Sequence, residues 1–179
     1  MRVICGSARG VKLKIPENEN IRPTTEKVKE AIFDSLQFNI EDKRFLDLFS
    51  GSGQMGIEAL SRGAKHVYFV DYFKTSIATL QYNLSRLNKN FKYNFSVIQK
   101  DALEFLQRNK DIFDIVFMDP PYAKNMIPKI LVNLDKFINN NGIIICEHSK
   151  KDKLPTKIEN LEIYKSKNYG TISVTFYKK

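Results

Sequence analysis

The sequence predicts an α/β protein. It describes a doubly wound, mostly parallel seven-stranded sheet with helices on both faces, Rossmann-like, preceded by an N-terminal β-hairpin. Three observations predict this. From residue 45 onward, continuous apolar runs alternate with helical segments, as in a parallel sheet covered on both faces. The turn Gly51-Ser52-Gly53-Gln54-Met55-Gly56 follows the first of those strands and opens a helix. Asp47, Asp71, Asp101 and Asp119 each lie at or just after the carboxyl end of a different predicted strand. In a doubly wound sheet those ends border the ligand crevice.

The elements follow in order. Arg2 to Cys5 reads as a short strand, Gly6 to Gly10 as a turn, and Val11 to Ile15 alternates apolar and basic residues, which together make a hairpin. Its cationic face is either a phosphate-contacting arm or an edge with solvated lysines. A polar connector ends in Arg22-Pro23-Thr24-Thr25, where either threonine can cap the next helix. In that helix Val28, Ala31, Ile32 and Leu36 share one face. These features divide the chain into a basic extension over 1–24 and a main domain over 25–179.

In the main domain, strands are expected at Phe45–Phe49, His66–Val70, Phe95–Ile98, Phe113–Met118 and Ile143–Cys146. A closing pair follows at Leu161–Ser166 and Thr171–Tyr177. Helices are expected from Met55, over Phe73–Leu87, Ala102–Arg108 and Met126–Phe137. A polar loop spans Asn88–Asn94 and a turn Asn139–Gly142. There is no internal repeat, low-complexity tract or second core.

Composition narrows the function. The chain has 179 residues, of which 42% are hydrophobic, enough for one sizeable core. No apolar run approaches a membrane span, and Met1-Arg2-Val3-Ile4 is no signal peptide. Cys5 and Cys146 form no framework or metal spacing and read as reduced, buried thiols of a cytoplasmic protein. With His66 and His148 the only histidines, no metal site is expected. A net charge of +9 and a pI near 9.4 favour a polyanionic partner, although abundant Lys throughout is the plain alternative. The basic residues do cluster: Arg2, Arg9, Lys12, Lys14 and Arg22 early, and Lys150, Lys151, Lys153 and Lys157 late. A monomer is the default expectation.

The chemistry centres on Asp119-Pro120-Pro121-Tyr122. Neither proline has an N–H, and each has its φ fixed. The segment therefore offers stiff acceptors, the Asp119 carboxylate and the Pro120 carbonyl, beside the flat ring of Tyr122. That set suits a planar group bearing an NH₂, such as the amino edge of a nucleobase. A loop that merely stops a strand is the simpler reading. The glycine turn, with Asp71 twenty residues after Gly51, fits a dinucleotide fingerprint and by itself does not separate NAD from S-adenosylmethionine. Two features favour the latter. Asp47 lies four residues before the first glycine, where it can face an ammonium or sulfonium group. No second mononucleotide half or hydride-transfer histidine follows.

Asp47-Leu48-Phe49-Ser50-Gly51-Ser52-Gly53 resembles the first motif of class I S-adenosylmethionine-dependent methyltransferases. Asp119-Pro120-Pro121-Tyr122 resembles the D-P-P-Y motif of their amino-methylating branch. Arg9-Gly10 with Lys12-Leu13, then Arg22-Pro23-Thr24-Thr25, resembles one family within it, the RsmD-like 16S rRNA guanine-N(2)-methyltransferases. The resemblance covers about residues 2 to 178. It implies that Phe49, Gly51, Ser52 and Gly53 cradle the methionine part of the cofactor and that Asp47 supports that loop. Asp71 would hold the ribose hydroxyls, Tyr72 or Phe73 would cover the adenine, and Asp101 with Ala102 would contact it. Asp119, Pro120, Pro121 and Tyr122 would receive the base. Arg9, Lys12, Lys14 and Arg22 would contact RNA, the substrate being 16S rRNA in a small ribosomal subunit. Gln54-Met55 are larger than the residues common in that loop.

Four other readings compete with it: a DNA adenine methyltransferase, transfer to a protein glutamine, a non-catalytic RNA-binding module, and an NAD-dependent dehydrogenase. The chain has no spare stretch for a DNA-recognition domain. Protein methylation leaves the basic arm unexplained, and an intact Asp119 argues against a dead fold. Glu147-His148-Ser149 read as structural or peripheral.

Overall fold

A computed structural model describes residues 1–15, 25–36, 40–121 and 126–179. Helix α1 spans Glu26–Leu36, β1 Arg44–Leu48, α2 Gln54–Ser61, β2 His66–Asp71, α3 Lys74–Ser85 and β3 Phe95–Gln99. Then come α4 Ala102–Arg108, β4 Phe113–Met118, α5 Met126–Leu134, β5 Ile138–Ser149, β6 Lys157–Ile158, β7 Leu161–Tyr169 and β8 Ile172–Lys178. The strands form one sheet in the order β3-β2-β1-β4-β5-β8-β7-β6. Neighbours from β3 to β5 are parallel, and β5, β8, β7 and β6 pair antiparallel. This is a class I methyltransferase fold. The order reverses at β1, so the crevice opens at the carboxyl ends of β1 and β4.

Alternation along each strand divides the core into two layers. Phe45, Phe69, Phe117 and Ile145 pack with α1, α2 and α3. Leu46, Val70, Val116 and Ile144 pack with α4 and α5 on the other face. No helix among the described residues is long and apolar enough to cross a membrane.

Several expectations change. Among the described residues the sheet has eight strands rather than seven, because the two-residue β6 pairs with the start of β7. Asn139–Gly142 is no free turn but lies within β5. Phe113 pairs with Ile138 and Ile115 with Ile143, so the asparagines bulge outward from an otherwise continuous strand. Asn141 takes the left-handed conformation this requires, φ 66°. Helix α5 ends at Leu134 and a 3-10 turn completes the run to Phe137.

The N-terminal segment folds back with a single antiparallel bridge, Arg2 to Lys12, rather than two extended strands. It is docked along α2, and its Val3, Ala8 and Leu13 are buried in the main core. The Ser61 hydroxyl accepts from Ala8 N (2.9 Å) and donates to the Cys5 carbonyl (2.5 Å). The buried Glu58 carboxylate accepts from the backbone N–H groups of Ile4 and Cys5 at 2.8 and 3.0 Å. Cys5, expected to be buried, is exposed: its backbone is held by α2 while its side chain faces outward. Cys146 is buried as expected, and burial pushes its thiol pKa up.

Candidate active site

The turn after β1 is shaped by its backbone. The N–H groups of Phe49 and Ser50 both donate to Val70 O, at 2.9 and 3.0 Å. This doubled contact forces Phe49 to φ 67°, a costly conformation for a bulky residue and one that clusters at functional sites. Gly51, φ 52°, leaves open space where a Cβ would project. A Cβ on Gly53 would fall 2.2 Å from Leu80 Cδ1. The second glycine is thus required for packing against α3, while the first leaves room above the turn. Ser52 O accepts from Asn83 Nδ2 at 2.9 Å.

The acids are placed by the sheet. Asp71 accepts from Gly51 N (2.8 Å) and Phe73 N (2.9 Å), which ties the turn to the end of β2. Beside it Tyr72 and Phe73 are exposed, their rings edge-to-face at 5.5 Å. Asp47 is fully buried and accepts from Gly56 N at 2.8 Å, so it braces the first turn of α2. Burial, aided by the Asp71 charge, pushes its pKa up to about 8 against the Gly56 hydrogen bond. Asp101 caps α4, its Oδ1 accepting from Leu103 N (2.9 Å) and Glu104 N (3.2 Å). Ala102 is buried behind it.

Asp119 follows the last residue of β4, with Pro120 buried and Pro121 exposed. Tyr122 and Arg22 lie outside the described residues. Burial raises the Asp119 pKa well above the usual carboxylate range, and the charges of Glu147 and Asp47 add to it. Met118 pairs with Cys146, so the next residues, Asp119 and Glu147, come side by side. Glu147, read from sequence as structural or peripheral, is buried at 3% exposure in this acidic floor. The signal that locates it is strand register, which sequence spacing does not carry. A cationic ligand is the natural counterpart of such a floor.

The turn also contains buried polar atoms without a protein partner, Ser50 Oγ and Gln54 Oε1. Buried groups of this kind call for a hydrogen-bonding ligand. With the room above Gly51 and the acids of Asp47 and Asp119, they fit the amino-acid end and sulfonium of S-adenosylmethionine. Arg9, Lys12 and Lys14 are exposed along the N-terminal segment. Asn83 joins that segment to the turn: it accepts from Lys14 N at 2.7 Å and donates to Lys14 O and Ser52 O at 2.9 Å each.

Comparison with known proteins matches the family model described as "Conserved hypothetical protein 95" over residues 1–178. The chain belongs to this family, the RsmD family. "Putative rRNA methyltransferase YlbH" of Bacillus subtilis is 38% identical, over 100% of this chain and 99% of its own. "Ribosomal RNA small subunit methyltransferase D" of Haemophilus influenzae is 37% identical over 99% and 93%. Among solved structures, "Putative methyltransferase yhhF from Escherichia coli" superposes with a TM-score of 0.88 at 29% identity, covering 100% of this chain and 97% of that one. Membership of the RsmD family over the whole chain makes this protein a methyltransferase by fold and family.

Proposed function

We propose that this protein transfers a methyl group from S-adenosylmethionine to the exocyclic 2-amino group of a guanine in 16S rRNA, within the small ribosomal subunit or its assembly intermediate. The observation that carries the proposal is the Asp119-Pro120-Pro121 end of β4, set beside the glycine turn of β1 in one acidic crevice. The names of the RsmD-family relatives support the small-subunit RNA as substrate.

The cofactor would supply a methyl group activated by a sulfonium. The Phe49–Gly53 turn would receive its methionine part, with Ser50 Oγ and Gln54 Oε1 as unspent partners. Asp71, already oriented by two backbone N–H groups, would take the ribose hydroxyls. The ring of Tyr72 would flank the adenine, with Asp101 and Ala102 beyond it.

The guanine amine is a weak nucleophile because its lone pair is delocalised into the ring. The Asp119 carboxylate and the Pro120 carbonyl would each accept one of its N–H bonds. Charge that develops on nitrogen in the transition state then meets fixed acceptors. Holding the amine in line with the methyl carbon supplies much of the remaining acceleration. The base must leave its stack to reach this site, and Tyr122 would stack on it. As the carboxylate, Asp119 would also be placed to take the proton released as N–C forms. Arg9, Lys12, Lys14 and Arg22 would contact phosphates, which position RNA without reading its sequence.

Asp119→Ala tests the assignment. Turnover should fall at least about a hundredfold, while S-adenosylhomocysteine binds within a few-fold of wild type by calorimetry. Turnover near wild type would remove Asp119, and with it the amine-methylating reading of the crevice.

A further inference from the structure

A second cleft lies at the opposite edge of the sheet from the crevice. Its walls come from residues that precede the amino ends of parallel strands: Asp42 before β1, Lys65 before β2, and Phe91 to Asn94 before β3. It measures about 590 Å³, within the range of ligand-binding clefts. The segment Asn88-Lys89-Asn90-Phe91-Lys92-Tyr93-Asn94-Phe95 interleaves cations with aromatic rings. Phe91 is 48% exposed, and its ring lies 6.4 Å from that of Tyr93. The turn that carries it is fixed by Asn88, whose carbonyl accepts from Phe91 N (3.1 Å) and whose side chain accepts from Asn90 N (3.0 Å). Lys65 and Lys92 are exposed and line the same cleft as Phe91, and Lys89, also exposed, lies two residues before it in the turn. Arg62, also at the cleft, is already paired with Glu58 at 2.9 Å and stacked over Phe33. Among the described residues, Asp42 is the one acid in the wall.

The N-terminal segment connects the two edges. At one end Lys14 is fastened through Asn83 to Ser52 of the cofactor turn. At the other, Ser7 N donates to Ser61 O (2.8 Å) and the Ser7 hydroxyl bonds the Tyr93 hydroxyl (3.0 Å). Arg9, Lys12 and Lys14 stand exposed between these ends.

We propose that this cleft is a second RNA-docking site, which takes an unpaired stretch of the substrate RNA by stacking a base on Phe91 and contacting its phosphates with Lys65, Lys89 and Lys92. An exposed aromatic among lysines is the pairing that single-stranded nucleic acid recognises: the ring accepts any base and the cations track the backbone. The segment between the edges supplies a cationic track from the cleft to the catalytic crevice. RNA held at both edges is anchored about 20 Å from the reacting amine, the length of a six-residue strand. The proposal rests on RNA being the substrate, and it names a contact that catalysis itself does not need.

The test uses the full chain and a fluorescein-labelled oligoadenylate of about ten nucleotides. Phe91→Ala should weaken its binding about tenfold and leave calorimetric binding of S-adenosylhomocysteine unchanged. Lys92→Ala should lower the slope of log affinity against log salt by about 0.7. Oligoadenylate affinity and salt slope unchanged in both variants would overturn the proposal. Weakened binding to assembled small subunits with unchanged binding to oligoadenylate would also overturn it, by assigning the cleft to a ribosomal protein. The readout is binding alone, so failure of the guanine-methylation reading leaves it intact, and the reverse holds too.

Discussion

Asp47 and Asp119 sit where a negative charge is disfavoured, by burial and by neighbouring acids, Asp71 for the first and Glu147 and Asp47 for the second. Neutralising them in the free protein therefore stabilises it. The folded pKa of Asp47, about 8, lies above its unfolded value. The stability it contributes is present below the unfolded pKa and is lost as pH rises through about 8. Asp47→Asn, which keeps an acceptor for Gly56 N, should raise Tm by at least about 2 °C at alkaline pH, worth ~1 kcal/mol for a chain of this length. The gain should shrink in acid, and scanning calorimetry across the two conditions checks it. At this scale the positions of the candidate residues are legible. Asp47, Asp71, Asp101 and Asp119 were found by their spacing after apolar runs, because strand ends and turn glycines are local signals. Glu147 was not, because only the pairing of β4 with β5 brings it to Asp119. Gly53, expected to admit the cofactor, has a further role that spacing does not show: a side chain there would collide with Leu80 of α3.

The elements are joined by a buried ion pair with no equivalent in the sequence pattern. Lys29 of α1 and Glu58 of α2, both with side chains at 0% exposure, lie 3.2 Å apart. Lys29 Nζ also donates to the Arg2 carbonyl at 2.6 Å. Burial lowers the Lys29 pKa and the Glu58 charge opposes that shift. Removing one partner of such a pair strands the other in the interior. Glu58→Ala should cost about 3–5 kcal/mol and lower Tm by about 10 °C. It should also free the backbone N–H groups of Ile4 and Cys5, so their amide hydrogen exchange should accelerate more than that of α2. Protection unchanged at these amides would mean that Val3, Ala8 and Leu13 hold the segment without it. The helices and strands themselves were readable within a few residues, since period and capping are local; Thr25, for instance, caps α1 through Val28 N at 3.3 Å. The docking of residues 1–15 was not readable. Its partners come from Lys29, Glu58, Ser61 and Asn83, which sequence places in other elements.

For the whole molecule, the strand order sets what each edge does. The reversal at β1 gathers the cofactor turn, Asp71, Asp119 and Glu147 at the carboxyl edge. The same topology leaves the Phe91 loop at the other. The chain carries a formal charge of +9, with Arg9, Lys12, Lys14, Lys65, Lys89 and Lys92 exposed, while the crevice floor is acidic. A polyanion is thus drawn to the protein as a whole and a cation to its centre. The architecture was legible because parallel strands buried on both faces leave continuous apolar runs. The bulge in β5 and the short β6 were not, since each depends on a neighbouring strand. The account's central claim is tested most directly by incubating the protein with methyl-labelled S-adenosylmethionine and unmodified small ribosomal subunits, then digesting the RNA to nucleosides. Label recovered as N(2)-methylguanosine is the predicted result. Label recovered on adenine, or in protein with none in RNA, would contradict it.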